Sequence, residues 1–279
     1  MLRARRGATK ATRADEVAWE VATGGLAMGD QPITAVVHLA GESLAGGRWT
    51  RRRRAAIWSS RVDATAALAT SLARGPHLPR TFIHASGVGY YGDNDTRAID
   101  EDSPRGAGFL ADLAAAWEAS AEPLRQAGVR VVSARLGMVL SREGGALAAM
   151  RLPFRLGLGG RVGSGRQGVS WITCDDAVRA MCWLASPAAS AVGGPVNLSS
   201  PGPVSQAVFA STLARVLHRP ALLPAPAWAL RLVLGELADE LLLSGQFAMP
   251  RKLLQCGFRF EDPDLELALT RVLGCGATG

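Results

Sequence analysis

The chain has 279 residues, 48% of them hydrophobic and 20% charged, and a net charge of +7. That length and apolar content support a sizeable core and read as an ordinary globular protein, in one large domain or one domain with a smaller appendage. No apolar run reaches the ~18 residues of a spanning helix, because the best candidate, 221–243, is broken by prolines and charges, so no membrane partner is expected.

The basicity is local. Residues 1–62 carry eleven Lys/Arg against five Asp/Glu, whereas 63–279 carry twenty against nineteen. It sits in RARRGATK at 3–10 and in RRRR at 51–54, which follows Thr50, a capping residue for a helix start. A nucleic-acid reader would interleave such charges with aromatics or a recognisable module, and none is present, so no nucleic-acid partner is expected. The acid-free, Arg-, Thr- and Ala-rich first 14 residues also fit an organellar transit segment, the alternative to a cytoplasmic location.

Along the chain, AVVHLA at 35–40, TFIHAS at 81–86 and VRVVSAR at 129–135 predict strands, each apolar or β-branched and flanked by turn residues. Between the first two, Ile57, Arg61, Ala64, Leu68 and Leu72 fall on one helical face. Between the second and third, Leu110, Leu113, Trp117, Ala121 and Leu124 do the same. Strand and helix in alternation predict a parallel sheet with crossovers on its faces, whose ligands sit at the carboxyl ends of the strands. Those ends are Ala40-Gly41-Glu42, Ser86 to Gly92, and Arg135-Leu136-Gly137, and each stops in small or hydrogen-bonding residues that admit close approach to the backbone. Arg61, on an otherwise apolar face, needs a partner if it is buried or must reach the helix edge.

After residue 140 the texture changes. Residues 144–168 hold eight glycines in 25 residues, SWITCDDAV at 170–178 enters a helix, PVNLSS at 195–200 predicts a short strand, and a mostly helical tail follows. The expected division is 1–140 with 170–200 as the sheet domain, and 141–169 with 201–279 as a smaller lobe. Cys174, Cys182, Cys256 and Cys275 show no C-x-x-C pair and no metal-like grouping with histidines, so free thiols in a reducing compartment are expected and no metal site.

VVHLAG, ASGVGYYGD, ARLGMVL and SWITCDDAV, in this order, resemble the extended short-chain dehydrogenase/reductase superfamily of the epimerase/dehydratase type. LAGESLAGGRWT, SSRVDAT, FRLGLGGRVGSGRQGVSWI and ADELLLSGQ narrow the resemblance to a poorly characterised epimerase-like branch, sometimes labelled as related to cell-division inhibitors, over about residues 16–273. The resemblance implies a Rossmann-type α/β fold with a small, mainly helical C-terminal lobe, and NADP or NAD as cofactor. It places Ala40, Gly41 and Glu42 on the adenine side and Arg61 toward the cofactor or its supporting loop. Ser86 to Tyr91 would lie beside the nicotinamide, with Ser86 and Tyr91 as catalytic candidates and Tyr90 and Arg135 as cofactor contacts. Arg161, Arg166, Gln167 and Trp171 would cover the cleft of a small-molecule substrate. Homo-oligomerisation is left open.

Two departures qualify that expectation. The superfamily's Tyr-x-x-x-Lys dyad, in which lysine lowers the tyrosine pKa for acid–base work, is absent, and alignment on Glu118 puts Leu110 and Ala114 in its place. The only lysines are Lys10 and Lys252. The glycine-rich strand–turn–helix that holds a pyrophosphate is also not found ahead of EVAWEVATGG at 16–25, an apparent loss of about 35 residues for a βαβ unit, with RARRG as the remnant of a strand end. The expectation is an N-terminally incomplete NAD(P)-dependent oxidoreductase or epimerase-like enzyme of unknown substrate, in which cofactor binding is doubtful. The alternatives are a non-catalytic nucleotide-sensing or partner-binding protein on the same fold, or a truncated inactive product.

Overall fold

The structure, a computed structural model, describes residues 3–6, 16–20, 25–26, 33–94, 97–221 and 223–274. Lys10 and Cys275 lie outside the described residues. Three strands open the chain, β1 (Arg3–Arg6), β2 (Glu16–Glu20) and β3 (Gly25–Leu26), of which β1 and β2 pair in parallel. Then come β4 (Ala35–His38), α1 (Arg51–Ser59), α2 (Val62–Arg74), β5 (Thr81–Gly87), a 3₁₀ turn at Val88–Tyr91, and β6 (Ala98–Ile99). The middle of the chain supplies α3 (Phe109–Ala119), α4 (Glu122–Gln126), β7 (Arg130–Leu136), β8 (Met138–Leu140), α5 (Gly145–Arg155), β9 (Gly168–Val169), β10 (Trp171–Thr173) and α6 (Cys174–Ala185). It ends with β11 (Gly194–Leu198), β12 (Val204–Ser205), α7 (Gln206–Val216), α8 (Ala227–Leu234), α9 (Glu236–Ala238), β13 (Phe247–Ala248), α10 (Arg251–Gln255) and α11 (Leu265–Leu273).

The main sheet has the order β11-β7-β5-β4 and every pairing in it is parallel, as the strand–helix alternation predicts. β5 shows why its sequence is an unbroken apolar run: Thr81 to Ser86 are all buried because helices cover both faces. Phe82 packs with Leu68, Leu124 and Val131 on the α2/α4 side, while the next residue, Ile83, packs with Val132, Leu184 and Leu253 on the α6/α10 side. A third apolar cluster joins α5, α7 and α11 through Leu147, Phe154, Leu213 and Leu269.

The two expected helices are each broken in two. α1 ends at Ser59 and α2 begins at Val62, because the Ser60 hydroxyl donates back to the Ile57 carbonyl at 2.9 Å and Arg61 leaves helical geometry with φ −113°. α3 ends at Ala119 and α4 begins at Glu122, where Pro123 supplies no N–H and so starts a helix better than it continues one. The apolar spacing survives both breaks, so the burial pattern was right where the continuity was not.

A polar pair lies inside this core. His84 on β5 is fully buried, with Nε2 2.8 Å from the Ser133 hydroxyl on β7 and Nδ1 3.1 Å from the Ala85 carbonyl. Burial first, and the neighbouring His38 second, push its pKa from 6.5 down to about 3. The folded protein therefore keeps His84 neutral while an unfolded chain binds a proton below pH 6.5, so stability is lost as pH falls through that window. Between pH 6.5 and about 3, the unfolding free energy is expected to drop by roughly 1.4 kcal/mol per pH unit more in the native protein than in His84→Gln. Urea titrations at several pH values check this, and parallel slopes in the two proteins would refute it.

Candidate functional site

The parallel register builds the site. Ser86 on β5 lies opposite Arg135 on β7, which lies opposite Asn197 on β11, so three polar residues form a row at the carboxyl ends of neighbouring strands. Glu118, near the end of α3, reaches over that row. Its Oε1 accepts from the Ser86 hydroxyl at 2.8 Å and from Arg135 Nε at 2.7 Å, and its Oε2 accepts from Arg135 Nη2 at 2.9 Å. Arg135 donates its remaining Nη1 to the Tyr91 hydroxyl at 2.9 Å, and its guanidinium stacks 3.5 Å from the centre of the Tyr90 ring. Tyr91 donates in turn to Asn197 Oδ1 at 2.7 Å, and the Asn197 backbone N–H donates to Glu101 Oε1 at 3.0 Å.

Electrostatics fix the protonation states. Burial opposes the charge of Arg135, and the hydrogen bonds and charge of Glu118 overcome it, so the guanidinium pKa rises. Tyr91 has no exposed surface, and burial lifts its pKa to about 12 against the pull of Arg135. Glu101 is likewise raised by burial. Tyr91 is thus a fixed hydrogen-bond donor at neutral pH, with no proton to give or take.

On the β4 side, Ala40 and Gly41 follow the strand, with Gly41 exposed. A side-chain carbon at Gly41 would fall 3.1 Å from the Arg61 guanidinium, so the glycine lets that buried arginine lie close against the loop. Arg61 also donates to the Ile57 carbonyl at 3.3 Å and sits 5.2 Å over the Trp117 ring, which answers the partner that its position demands. Glu42 pairs with Arg53 at 2.8 Å, and its amide donates to Ser60 at 2.9 Å, pinning the loop.

A cleft of about 290 Å³ opens beside the turn after β5. Its walls include Gly89, Asp93, Leu110, Arg231, Asp239 and Glu240. Leu110 lies against Gly89, where an added Cβ would stand 3.1 Å from its own. Ala114, one turn further along α3, is buried. Glu240 accepts from the Phe109 and Leu110 amides at 2.9 and 3.0 Å, so a carboxylate from the C-terminal region caps the start of α3. Asp239 pairs with Arg231 at 2.8 Å.

The expected site residues divide. Ser86, Tyr90, Tyr91 and Arg135 converge, but as a buried network in which Ser86 and Tyr91 have bonded hydroxyls. Trp171 is wholly buried in the cluster with Leu140, Phe209 and Leu213, donating Nε1 to the Gly202 carbonyl at 2.8 Å, and does not line the cleft. Gln167 is a brace, donating to the Val162 and Leu242 carbonyls at 3.1 and 2.8 Å. Arg161 and Arg166 are exposed and outside the cleft lining. Asn197, Glu101, Asp239 and Glu240 escaped the sequence reading. ADELLLSGQ carried the signal for the last two, as acids in an otherwise apolar segment.

Residues 25–199 match the NAD dependent epimerase/dehydratase family, and residues 225–272 match a domain of unknown function, DUF1731. An epimerase family protein of Mycobacterium leprae is 42% identical over 238 residues, which cover 85% of this chain and 76% of that protein. The human epimerase family protein SDR39U1 (isoform 2), solved with NADPH, is 34% identical with a TM-score of 0.82, over 89% of this chain and 84% of the human one. A nucleoside-diphosphate sugar epimerase from Corynebacterium glutamicum is 31% identical with a TM-score of 0.68, over 86% of this chain and 46% of that one.

Glu118→Gln is expected to cost about 3–5 kcal/mol in urea unfolding, because it leaves the Arg135 guanidinium buried without its counter-charge. The double variant Glu118→Leu, Arg135→Met should recover most of that loss, since no buried charge remains. A loss below about 1 kcal/mol for Glu118→Gln, the range of an exposed pair, would show that the ion pair is not the anchor.

Proposed function

Because the chain belongs to the NAD-dependent epimerase/dehydratase family, we propose that it handles NADP(H) along the carboxyl ends of β4, β5 and β7. It acts on a small polar molecule in the adjacent cleft, without tyrosine acid–base catalysis. The observation that carries this reading is the state of the dyad positions: Leu110 lines the cleft, Ala114 is buried, and Tyr91 is sealed in the core. NADPH in the human relative supports the choice of cofactor.

The described residues fit the dinucleotide on two sides. The open backbone at Ala40 and Gly41 would face the adenine, and Gly87, where an added Cβ would meet nothing nearer than 3.8 Å, leaves room beside Tyr90 for the nicotinamide. When bound, the nicotinamide supplies or accepts hydride. This chain's part is to orient and to exclude water: Arg135 and Glu118 hold the ends of β5 and β7 together, and Leu110 gives the cleft an apolar wall. Proton traffic would fall to Asp93 and the carboxylates of Asp239 and Glu240. Leu110 and Ala114 equally favour a second reading, a nucleotide sensor that binds the same cofactor and turns nothing over.

Calorimetric titration with NADPH is expected to give saturable binding at one site per chain. Gly41→Val should weaken it at least about tenfold, since the added side chain stands between the loop and the Arg61 guanidinium. Saturable binding unchanged by Gly41→Val would place the dinucleotide elsewhere, and no heat at millimolar cofactor would end the cofactor reading. Oxidation of NADPH by small carbonyl compounds separates the enzyme from the sensor.

A further inference from the structure

No helix among the described residues is long and apolar enough to cross a membrane, but that bears on insertion and not on adsorption. α8 has no buried residue. Trp228 and Leu232, 70% and 71% exposed, stand one turn apart on its outer side, while Leu234 packs inward against Trp49 and Leu237. Leu156, Leu158 and Leu223 are exposed as well. These residues share one surface, because 155–163 runs beside 223–227: the Ala225 amide donates to the Arg161 carbonyl at 2.8 Å and the Gly163 amide to the Ala225 carbonyl at 2.9 Å. Arg219 Nε donates to the Arg155 carbonyl at 3.0 Å.

The segments that form this surface carry cations and no acids of their own, and Asp239, a carboxylate beside it, is taken up by Arg231. Neither 144–173 nor 201–235 contains an aspartate or a glutamate. Arg155, Arg161 and Arg219 are exposed, and none of them meets a carboxylate among the described residues. An apolar patch rimmed by unneutralised guanidiniums marks an interaction surface. Two copies of it would repel one another, which argues against self-association. A nucleic acid would leave the leucines without a stacking partner.

We propose that the face formed by 155–163, 219–221 and 223–233 docks on an anionic lipid bilayer. Trp228 and Leu232 enter the headgroup–acyl boundary, and Arg155, Arg161 and Arg219 meet lipid phosphates and carboxylates. Each arginine near such a surface contributes about a fivefold gain in partitioning.

The test is co-sedimentation of the full chain with phosphatidylcholine vesicles and with vesicles in which a third of that lipid is replaced by phosphatidylserine. Binding is expected to the second alone, to weaken with salt, and to shift Trp228 emission to the blue. Arg155→Gln, Arg161→Gln and Arg219→Gln combined should weaken it roughly 100-fold. Trp228→Gln with Leu232→Ser should weaken it without lowering the salt dependence. Near-UV circular dichroism matching the parent confirms that the variants fold, as substitutions at exposed positions allow. The proposal is overturned if the phosphatidylserine vesicles are not bound, or if binding is unchanged in both variants. It is equally overturned by RNA binding without vesicle binding, or by a dimer that Trp228→Gln with Leu232→Ser dissociates.

Discussion

The pairing of Arg135 with Glu118 is the constraint on which the strand ends depend. Both groups are largely removed from water, with side chains 3% and 13% exposed, so desolvation must be offset by geometry. The two-point contact supplies it, and the remaining donors and acceptors are filled by Ser86, by the Tyr91 hydroxyl and by the face of Tyr90. This filling decides the chemistry. Once Tyr91 is needed to satisfy a buried guanidinium, it is fixed between Arg135 and Asn197, and its proton is held to about pH 12. A structural solution for one buried charge removes the only tyrosine hydroxyl sealed beneath the strand ends from acid–base work.

The same row explains what could be read in advance. Strands at 35–40, 81–86 and 129–135 were legible because parallel strands covered on both faces are written as apolar runs, and their order follows from right-handed crossovers. The convergence of Ser86 with Arg135 also follows, because it needs only strand ends in register. The fate of Tyr91 does not. It depends on Asn197 and Glu101, whose approach is set by β11 and the segment after β6, and no local pattern encodes a contact across 106 residues. Trp171 misleads for a related reason: an aromatic beside a glycine-rich loop resembles a cleft wall until α7 and α11 bury it. The helix breaks at Ser60 and Pro123 are local and were open to reading, but the apolar spacing runs through them and masks the interruption.

The C-terminal region reaches back to complete the cleft. Gly108 precedes α3 with φ +109°, and a side chain there would strike Glu240, so the glycine admits the carboxylate that caps α3. Helix N-termini attract anions, and here the protein supplies its own. The positive end of α3 is therefore already neutralised, and Arg231, the guanidinium of the cleft lining, is matched by Asp239. A strongly anionic substrate would have to displace one of these carboxylates while leaving Asp93 and the other in place.

That balance fits the position of the remaining cations. Arg161 and Arg166, which a nucleotide-sugar cleft would turn inward, face solvent instead, with Arg161 on the surface that also carries Trp228. Arg231 is the cation of the C-terminal region that lines the cleft, and it does so already paired with Asp239. The Arg231–Asp239 pair joins the two surfaces, since Arg231 lies on α8 and Asp239 on the cleft. A diphosphate placed in this cleft would face the carboxylates of Asp93, Asp239 and Glu240, and the one guanidinium of the lining, Arg231, is already matched by Asp239.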